Sequence, residues 1–314
     1  HFSGLYDYFV IKIIMKNKAV LYLFLFVLVI VASCQNNKSE PQSYTSGREQ
    51  ILVDESLAPI IEDQAYLFES TYTKAKLNLV MKSENELVNL FLDDSIQVAI
   101  LSRTLSPAEI KHFESRNITV RTNRFAIDGI ALITHRSSAD TTVTVADVIK
   151  ILKGESSAIS SLVFDNANSS TVRYFKELAG VKELPTKGIY ALKSNADVIK
   201  YVYTNPGSIG VVGVNWMVQP PVDLEKTGGD LKILGVKNLE GKPGSDAYYK
   251  PDQNDIALGL YTLTRSLYIV NCEGGAGLGT GFASFIAGER GQRIVLKSGL
   301  LPDSIPSREI NIVK

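Results

Sequence analysis

Apolar residues in this chain come in short runs, and most runs are followed by a helical pattern that opens on a capping residue. Ile51-Leu52-Val53 reads as a strand, and Ser56 as the N-cap of a helix from Leu57 to about Tyr72. Leu77–Val80 is a second strand. Ser83 and Glu86 have the spacing of a capping box and open a helix to about Leu92. Gln97–Leu101 is a third strand. Ser106-Pro107-Ala108-Glu109 combines a capping box with proline at the first helical position. Asp128–Thr134 then reads as a buried strand.

The pattern starts again after that strand. Thr144 and Asp147 cap a helix that ends at Gly154, and Leu162–Phe164 is a strand. Ser169 or Ser170 starts a helix that ends near Gly180. Ser194 and Asp197 cap another, stopped at Asn205-Pro206-Gly207. Ile209–Val214 and Leu267–Val270 are strands. The stretch 220–255 is rich in Gly, Pro and Lys and is expected to be irregular. One helix is expected from about Phe282 to Gly288 and another after Gly291. Alternating strands and helices predict an α/β fold with mostly parallel sheets, and two such blocks predict two lobes.

Composition narrows the function. Over 314 residues, 45% are hydrophobic and 21% charged, enough to bury a core. Lys and Arg number 33 and so do Asp and Glu, so no basic field invites nucleic acid. Two cysteines and three histidines exclude a disulfide scaffold and a zinc site built on those ligands. No cofactor and no metal are expected.

The N-terminal region reads as an export signal. Lys16 and Lys18 precede the apolar run Ala19–Val31, which is shorter than the ~20 residues a bilayer span needs. Val31-Ala32-Ser33-Cys34 follows and resembles the bacterial lipobox, which implies a signal peptide over 15–33 and diacylglycerol on Cys34. Residues 1–14 are read as upstream readthrough or a misassigned start. Residues 34–47 are polar and read as a flexible tether. The expected location is the bacterial cell envelope, on the extracytoplasmic face, anchored through two acyl chains.

Several segments resemble the phosphate-binding proteins of phosphate-specific ABC transporters, a class II periplasmic-binding-protein family. They are Ser56-Leu57-Ala58-Pro59, Ala99–Leu105, Asp128–Ala131, Asn168–Thr171, Asn205–Gly210, Thr264–Tyr268 and Gly291–Val295. Their order and spacing carry the resemblance, which spans about 51–312. It implies two α/β lobes with mixed sheets flanked by helices, joined by two hinge strands. Lobe I would be 48–134 with 264–314, and lobe II 135–263. The crossings are expected near Thr134–Ser137 and Tyr261–Arg265. It further implies a monomer, not an enzyme, that binds phosphate or a related oxyanion and delivers it to an ABC permease. The alternative is an envelope accessory protein of the same fold that binds another ligand or a protein.

The candidate ligand contacts are Ser56, Leu57, Ser83, Ser102, Arg103, Asp165, Ser169, Ser170, Thr171 and Arg173; the serines, Leu57 and Thr171 stand where the resemblance puts the family's cleft. Several stand at expected helix starts, where free N–H groups and the helix dipole favour anions; each serine is equally a candidate plain cap. This chain departs from the family in charge. Asp54 and Glu55 precede the first loop, and Asp165 stands where the family has an arginine. Like charges at about 4 Å cost roughly 4 kcal/mol at an effective dielectric of 20. Arg103 and Arg173 are the cations expected to compensate, or else surface ion-pair partners. Asp165 is also suited to accept a ligand proton, or to select a neutral or cationic ligand.

Other candidates do not form sites. Gly275–Gly281 lacks the spacing of nucleotide-binding loops and reads as a turn. His112 and His135 join no Ser-His-Asp set. Trp216 and Met217 read as lobe II core, and Cys272 as a buried small hydrophobe.

Overall fold

The computed structural model describes residues 43–93 and 95–304. Its strands are β1 (Gly47–Asp54), β2 (Ala75–Lys82), β3 (Val98–Leu101), β4 (Arg121–His135), β5 (Thr142–Thr144) and β6 (Leu162–Phe164). They continue with β7 (Ile189–Ala191), β8 (Ile209–Gly213), β9 (Leu231–Ile233), β10 (Gly235–Lys237), β11 (Thr264–Asn271) and β12 (Leu301–Pro302). The helices are α1 (Ala58–Thr71), α2 (Glu84–Leu92), α3 (Pro107–Glu114), α4 (Val145–Leu152), α5 (Ser170–Ala179) and α6 (Asn195–Thr204). After them come α7 (Asn215–Val218), α8 (Glu225–Gly229), α9 (Gln253–Ala257), α10 (Leu278–Ala287) and α11 (Glu289–Lys297). Short elements therefore occupy much of 220–255, which the composition had suggested would be irregular.

The main sheet runs β2-β1-β3-β11-β4-β8-β6-β7, with β9 and β12 also paired to β4. Pairings are parallel within β1–β3 and within β6–β8, but β11 is antiparallel to both β3 and β4, and β4 is antiparallel to β8. The sheet is therefore mixed. Helices cover both faces, and the strands show it by their alternation. Ile51, Val53, Val98 and Ile100 enter one core, while Leu52, Ala99 and Leu101 enter another. Beyond β4 the same split recurs, with Ile130, Leu132, Leu162 and Phe164 on one side and Ala131, Ile133, Val163 and Val212 on the other.

Strand β4 belongs to both halves. Residues up to Gly129 pair with β11, Ile130–Ile133 pair with β8, and Ile133–His135 pair with β9. The change of partner falls between Gly129 and Ile130, ahead of the crossing expected near Thr134–Ser137. The return falls within the expected Tyr261–Arg265, where β11 begins. The two crossings touch: Ile130 N donates to Leu263 O at 2.7 Å, and the Tyr261 hydroxyl donates to Ile130 O at 2.6 Å.

Local signals held unevenly. Ser106 and Glu109 form the capping box, and Thr144, Ser169 and Ser194 cap their helices. Ser83 takes the cap position of α2 without a side-chain bond. Ser56 is no cap: it lies inside a 3-10 turn over Glu55–Leu57 whose cap is Asp54. Cys272 is buried in the same core cluster as Phe113; of the expected Gly275–Gly281 turn only the part before Leu278 precedes the helix, because α10 starts at Leu278 with Gly277 at its cap position.

The end of the expected tether is built. Ser43 N donates to Ser46 O at 3.0 Å, closing a turn before β1. Gly281 lets the chain approach, because a Cβ there would overlap the Tyr44 carbonyl. The expected readthrough 1–14, the signal peptide 15–33 and Cys34 lie outside the described residues. No helix among the described residues is long and apolar enough to cross a membrane.

Candidate functional site

Strand ends and helix starts converge where β4 changes partner. β1 delivers Asp54, whose Oδ1 accepts from Ser56 N at 3.1 Å and Ser56 Oγ at 2.9 Å. This Asx-type turn fixes the Glu55–Leu57 loop. Trp216, a core residue beside β8, also anchors the loop by donating Nε1 to Ser56 O at 2.8 Å. Ser56 and Leu57 are fully buried, and Ser56 Oγ lies 3.4 Å from Ser170 Oγ at the start of α5.

The α5 loop is held from below. Ser169 Oγ accepts from Val172 N at 3.1 Å and donates to Asp165 Oδ1 at 2.6 Å. Thr171 is fully buried next to it. Asn195, at the start of α6, donates its side-chain amide to Glu55 Oε2 at 2.7 Å and to Asp165 Oδ2 at 3.2 Å. Its backbone N donates to Glu55 Oε1 at 3.2 Å. Glu55 thus crosses from one half to the other and sits on a helix N-terminus, where a carboxylate is favoured.

The cation of this cluster is Arg265, from β11. Its Nε donates to Asp128 Oδ2 at 3.0 Å, its Nη2 lies 2.9 Å from the same oxygen, and its Nη1 donates to Ser170 Oγ at 2.9 Å. Gly213 passes beside the pair; a Cβ there would lie 3.0 Å from Asp128 Oδ2 and 2.6 Å from Asn215 Oδ1. Asp128 and Arg265 are both buried.

Arg103 and Arg173 do not take the place expected of them. Arg103 makes two 2.8 Å bonds to Glu109, and Arg173 makes a 2.6 Å bond to Glu84 and 3.1 Å bonds to Glu177. Buried Glu84 also accepts from Arg103 Nε at 3.4 Å. These guanidiniums therefore answer their own carboxylates. Ser102 joins the cluster through Arg173 Nη2 at 3.5 Å, and Ser83 lies at the mouth of the site.

Burial dominates the electrostatics. It pushes Glu55 up to about 7, against the Asn195 bonds, and Asp165 up to about 6, against the Ser169 bond. Burial also raises Asp54 and Asp128, with Arg265 opposing in both cases. Six buried polar atoms here have no hydrogen-bond partner among the described residues: Asp54 Oδ2, Thr171 Oγ1, Asn195 Oδ1, both amide atoms of Asn215, and Arg265 Nη2, which meets Asp128 as an ion pair without a well-aligned hydrogen bond. Unmade bonds at buried polar groups are costly, so their clustering marks a place for a ligand.

A cavity of about 180 Å³ opens beside the cluster, lined by Asp54, Glu55, Met81, Ser83, Asp165 and Ser169 among others. A larger groove of about 640 Å³ lies between Tyr44, Tyr72 and Arg290, and none of the expected site residues line it.

Sequence reasoning missed Glu84, Asn195, Asn215 and the place of Arg265 in this cluster. For Arg265 the signal was present. An arginine at the head of an apolar strand, and Asp128 among apolar strand residues, are each unaffordable in a core unless they meet.

Residues 38–290 match the family model described as the PBP superfamily domain. The phosphate-binding protein PstS of Borreliella burgdorferi is 23% identical over 306 residues, covering 91% of this chain and 98% of that protein. Among solved structures, a phosphate ABC transporter substrate-binding protein from Clostridium perfringens, with bound phosphate, superposes with a TM-score of 0.67 at 19% identity. It covers 82% of this chain and 100% of that one. An ABC-type phosphate transport receptor from Vibrio cholerae gives 0.59 at 18% identity, covering 82% of this chain and 100% of that one. These neighbours share the two-lobed mixed α/β fold.

Proposed function

The chain belongs to the PBP superfamily, and from that membership we propose that it is an extracytoplasmic solute-binding protein for phosphate or a related oxyanion, lipid-anchored at Cys34, that hands its ligand to an ABC permease. The observation that carries this reading is the convergence of the Ser56 loop and the Ser169–Thr171 loop on buried Arg265 at the junction of the two halves. Hydroxyls, a helix N-terminus and one buried guanidinium form a donor set suited to an oxyanion. The named relatives, all phosphate-binding or phosphate-transport proteins, support the same ligand class. On this reading the halves, 48–134 with 264–314 and 135–263, act as lobes that hinge around the Gly129–Ile130 switch. The role asked of the chain is binding, not catalysis.

Titration calorimetry of the full chain with inorganic phosphate tests this. Thr171→Ala is expected to weaken binding about tenfold, since one hydrogen bond to a charged group contributes about 1.5–3 kcal/mol. No binding of any oxyanion at millimolar concentration would sink the proposal. Lipidation has its own test. Cys34→Ala is expected to release the protein from membranes, whereas a variant that stays bound and uncut would mark the segment as a permanent anchor.

One observation favours a second reading. Buried Asp54 and Asp165, with half-buried Glu55, crowd the site with negative charge, which suits an accessory protein for another ligand. Permease and ATPase genes beside this one would favour transport, and their absence would favour the accessory role.

A further inference from the structure

The cavity beside the cluster has a charge pattern unlike that of a plain anion site. Its buried lining includes Asp54 and Asp165, each 1% exposed, with Glu55 alongside. Asp54 lines this cavity, and its buried Oδ2 has no hydrogen-bond partner among the described residues. Lys82, Lys193 and Glu86 also line the cavity, but Lys82 is turned to Glu86 at 3.9 Å, and both side chains there are exposed. The neighbouring cation, Arg265, gives Nε to Asp128 and Nη1 to Ser170, and its Nη2 meets Asp128 only as an ion pair.

An inorganic dianion would enter this arrangement against three carboxylates. Each like-charge contact near 4 Å costs roughly 4 kcal/mol at an effective dielectric of 20. A ligand that also carries an ammonium group reverses the sign of those contacts. An ammonium has three donors and no acceptor; Asp54 Oδ2 lacks the hydrogen bond that one of them would supply, and Asp165 and Glu55 line the same cavity. Met81 supplies an apolar wall for a short methylene linker. At about 30 Å³ per water, 180 Å³ holds roughly six waters, room for a small head group. The two half-sites adjoin, since Ser56 Oγ is 2.9 Å from Asp54 Oδ1 and Ser169 Oγ is 2.6 Å from Asp165 Oδ1. The linker must therefore be short. A bound metal is not the alternative, because no group of three acidic, histidine or cysteine side chains among the described residues is placed to hold one.

We propose that this cavity takes the cationic end of a compact zwitterion whose oxyanion sits on Ser56, Ser170 and Thr171, so that the ligand is an aminoalkyl phosphonate or phosphate monoester. The inference rests on the oxyanion reading above and names its ligand class.

The test is a ligand series on the full wild-type chain by calorimetry: 2-aminoethylphosphonate, ethylphosphonate and inorganic phosphate. The amine is expected to tighten binding at least tenfold over ethylphosphonate, about 1.4 kcal/mol. Asp165→Asn, and separately Asp54→Asn, should shrink that ratio below about threefold while ethylphosphonate binding improves. If ethylphosphonate or phosphate binds wild type as tightly as the amine, the zwitterion proposal is overturned and the oxyanion reading stands. If none of the three binds at millimolar concentration, both are overturned. The wild-type ratio decides the matter even where a variant folds poorly.

Discussion

Replacing Arg265 with methionine is expected to cost the fold about 3–5 kcal/mol, because removing one partner of a buried ion pair leaves a bare charge in the core. Asp128 would then be orphaned at zero exposure, with Asp54 nearby and Ser170 stripped of its donor. Against a typical total stability of 5–15 kcal/mol, that is a large share. Urea unfolding at pH 7 measures it. Adding Asp128→Asn to Arg265→Met should recover part of the loss, since the double variant removes the orphaned charge. Arg265→Lys should rescue poorly, because one ammonium cannot reach Asp128 and Ser170 in the geometry of the guanidinium fork. A loss below about 1 kcal/mol for Arg265→Met would mean that the pair is not what holds the junction.

Stability of the ligand-free protein is expected to fall as pH rises from about 4 to about 7. Glu55 and Asp165 titrate near 7 and near 6 in the folded chain, above their ordinary values, because burial disfavours their charged forms. A carboxylate raised on folding contributes stability that is fully present below its unfolded pKa and is lost as pH climbs through its folded pKa. At 1.36 kcal/mol per pK unit, each site accounts for a change of about 3 kcal/mol, and the two are not additive because each charge raises the other's cost. Glu109, held down by its bonds to Arg103, works in the opposite sense at the acid end. Melting temperature between pH 4.5 and 8 checks this. Glu55→Gln and Asp165→Asn should each flatten the slope, and a wild-type curve that rises toward pH 7 would refute it.

Much of the fold was legible because short apolar runs and helix caps are local signals. Ile51–Val53, Gln97–Leu101 and Ile209–Val214 declared themselves as strands, and Ser106, Thr144 and Ser194 as caps. The length of β4 was not legible. Its exposed first residues, Arg121–Arg124, are polar and become strand only through pairing with β11. Ser56 looked like a cap, but the preceding Asp54 took the backbone bond instead, a competition that composition does not decide.

The site divided the same way. Ser56, Ser169, Ser170 and Thr171 were found because loops at strand ends and helix starts repeat a recognisable order. The partners of Arg103 and Arg173 were not found, because Glu84 contacts Arg173 from far away in sequence. Arg265 was read as part of a strand, since only the three-dimensional register brings it to Asp128.

The place of β11 in the sheet has a consequence for how the molecule comes into being. β3 and β4 are separated by a strand that the ribosome makes only after the whole second half. β4, β6, β7, β8 and β9 can find one another while synthesis is under way, and so can β1, β2 and β3, but β3 and β4 are joined only by residues 264–271. Non-local pairing of this kind is slow. The strand that completes the first half carries Arg265, so the counter-ion of Asp54 and Asp128 comes on the strand that joins the two halves. The first strands to be made are joined to the rest by one of the last.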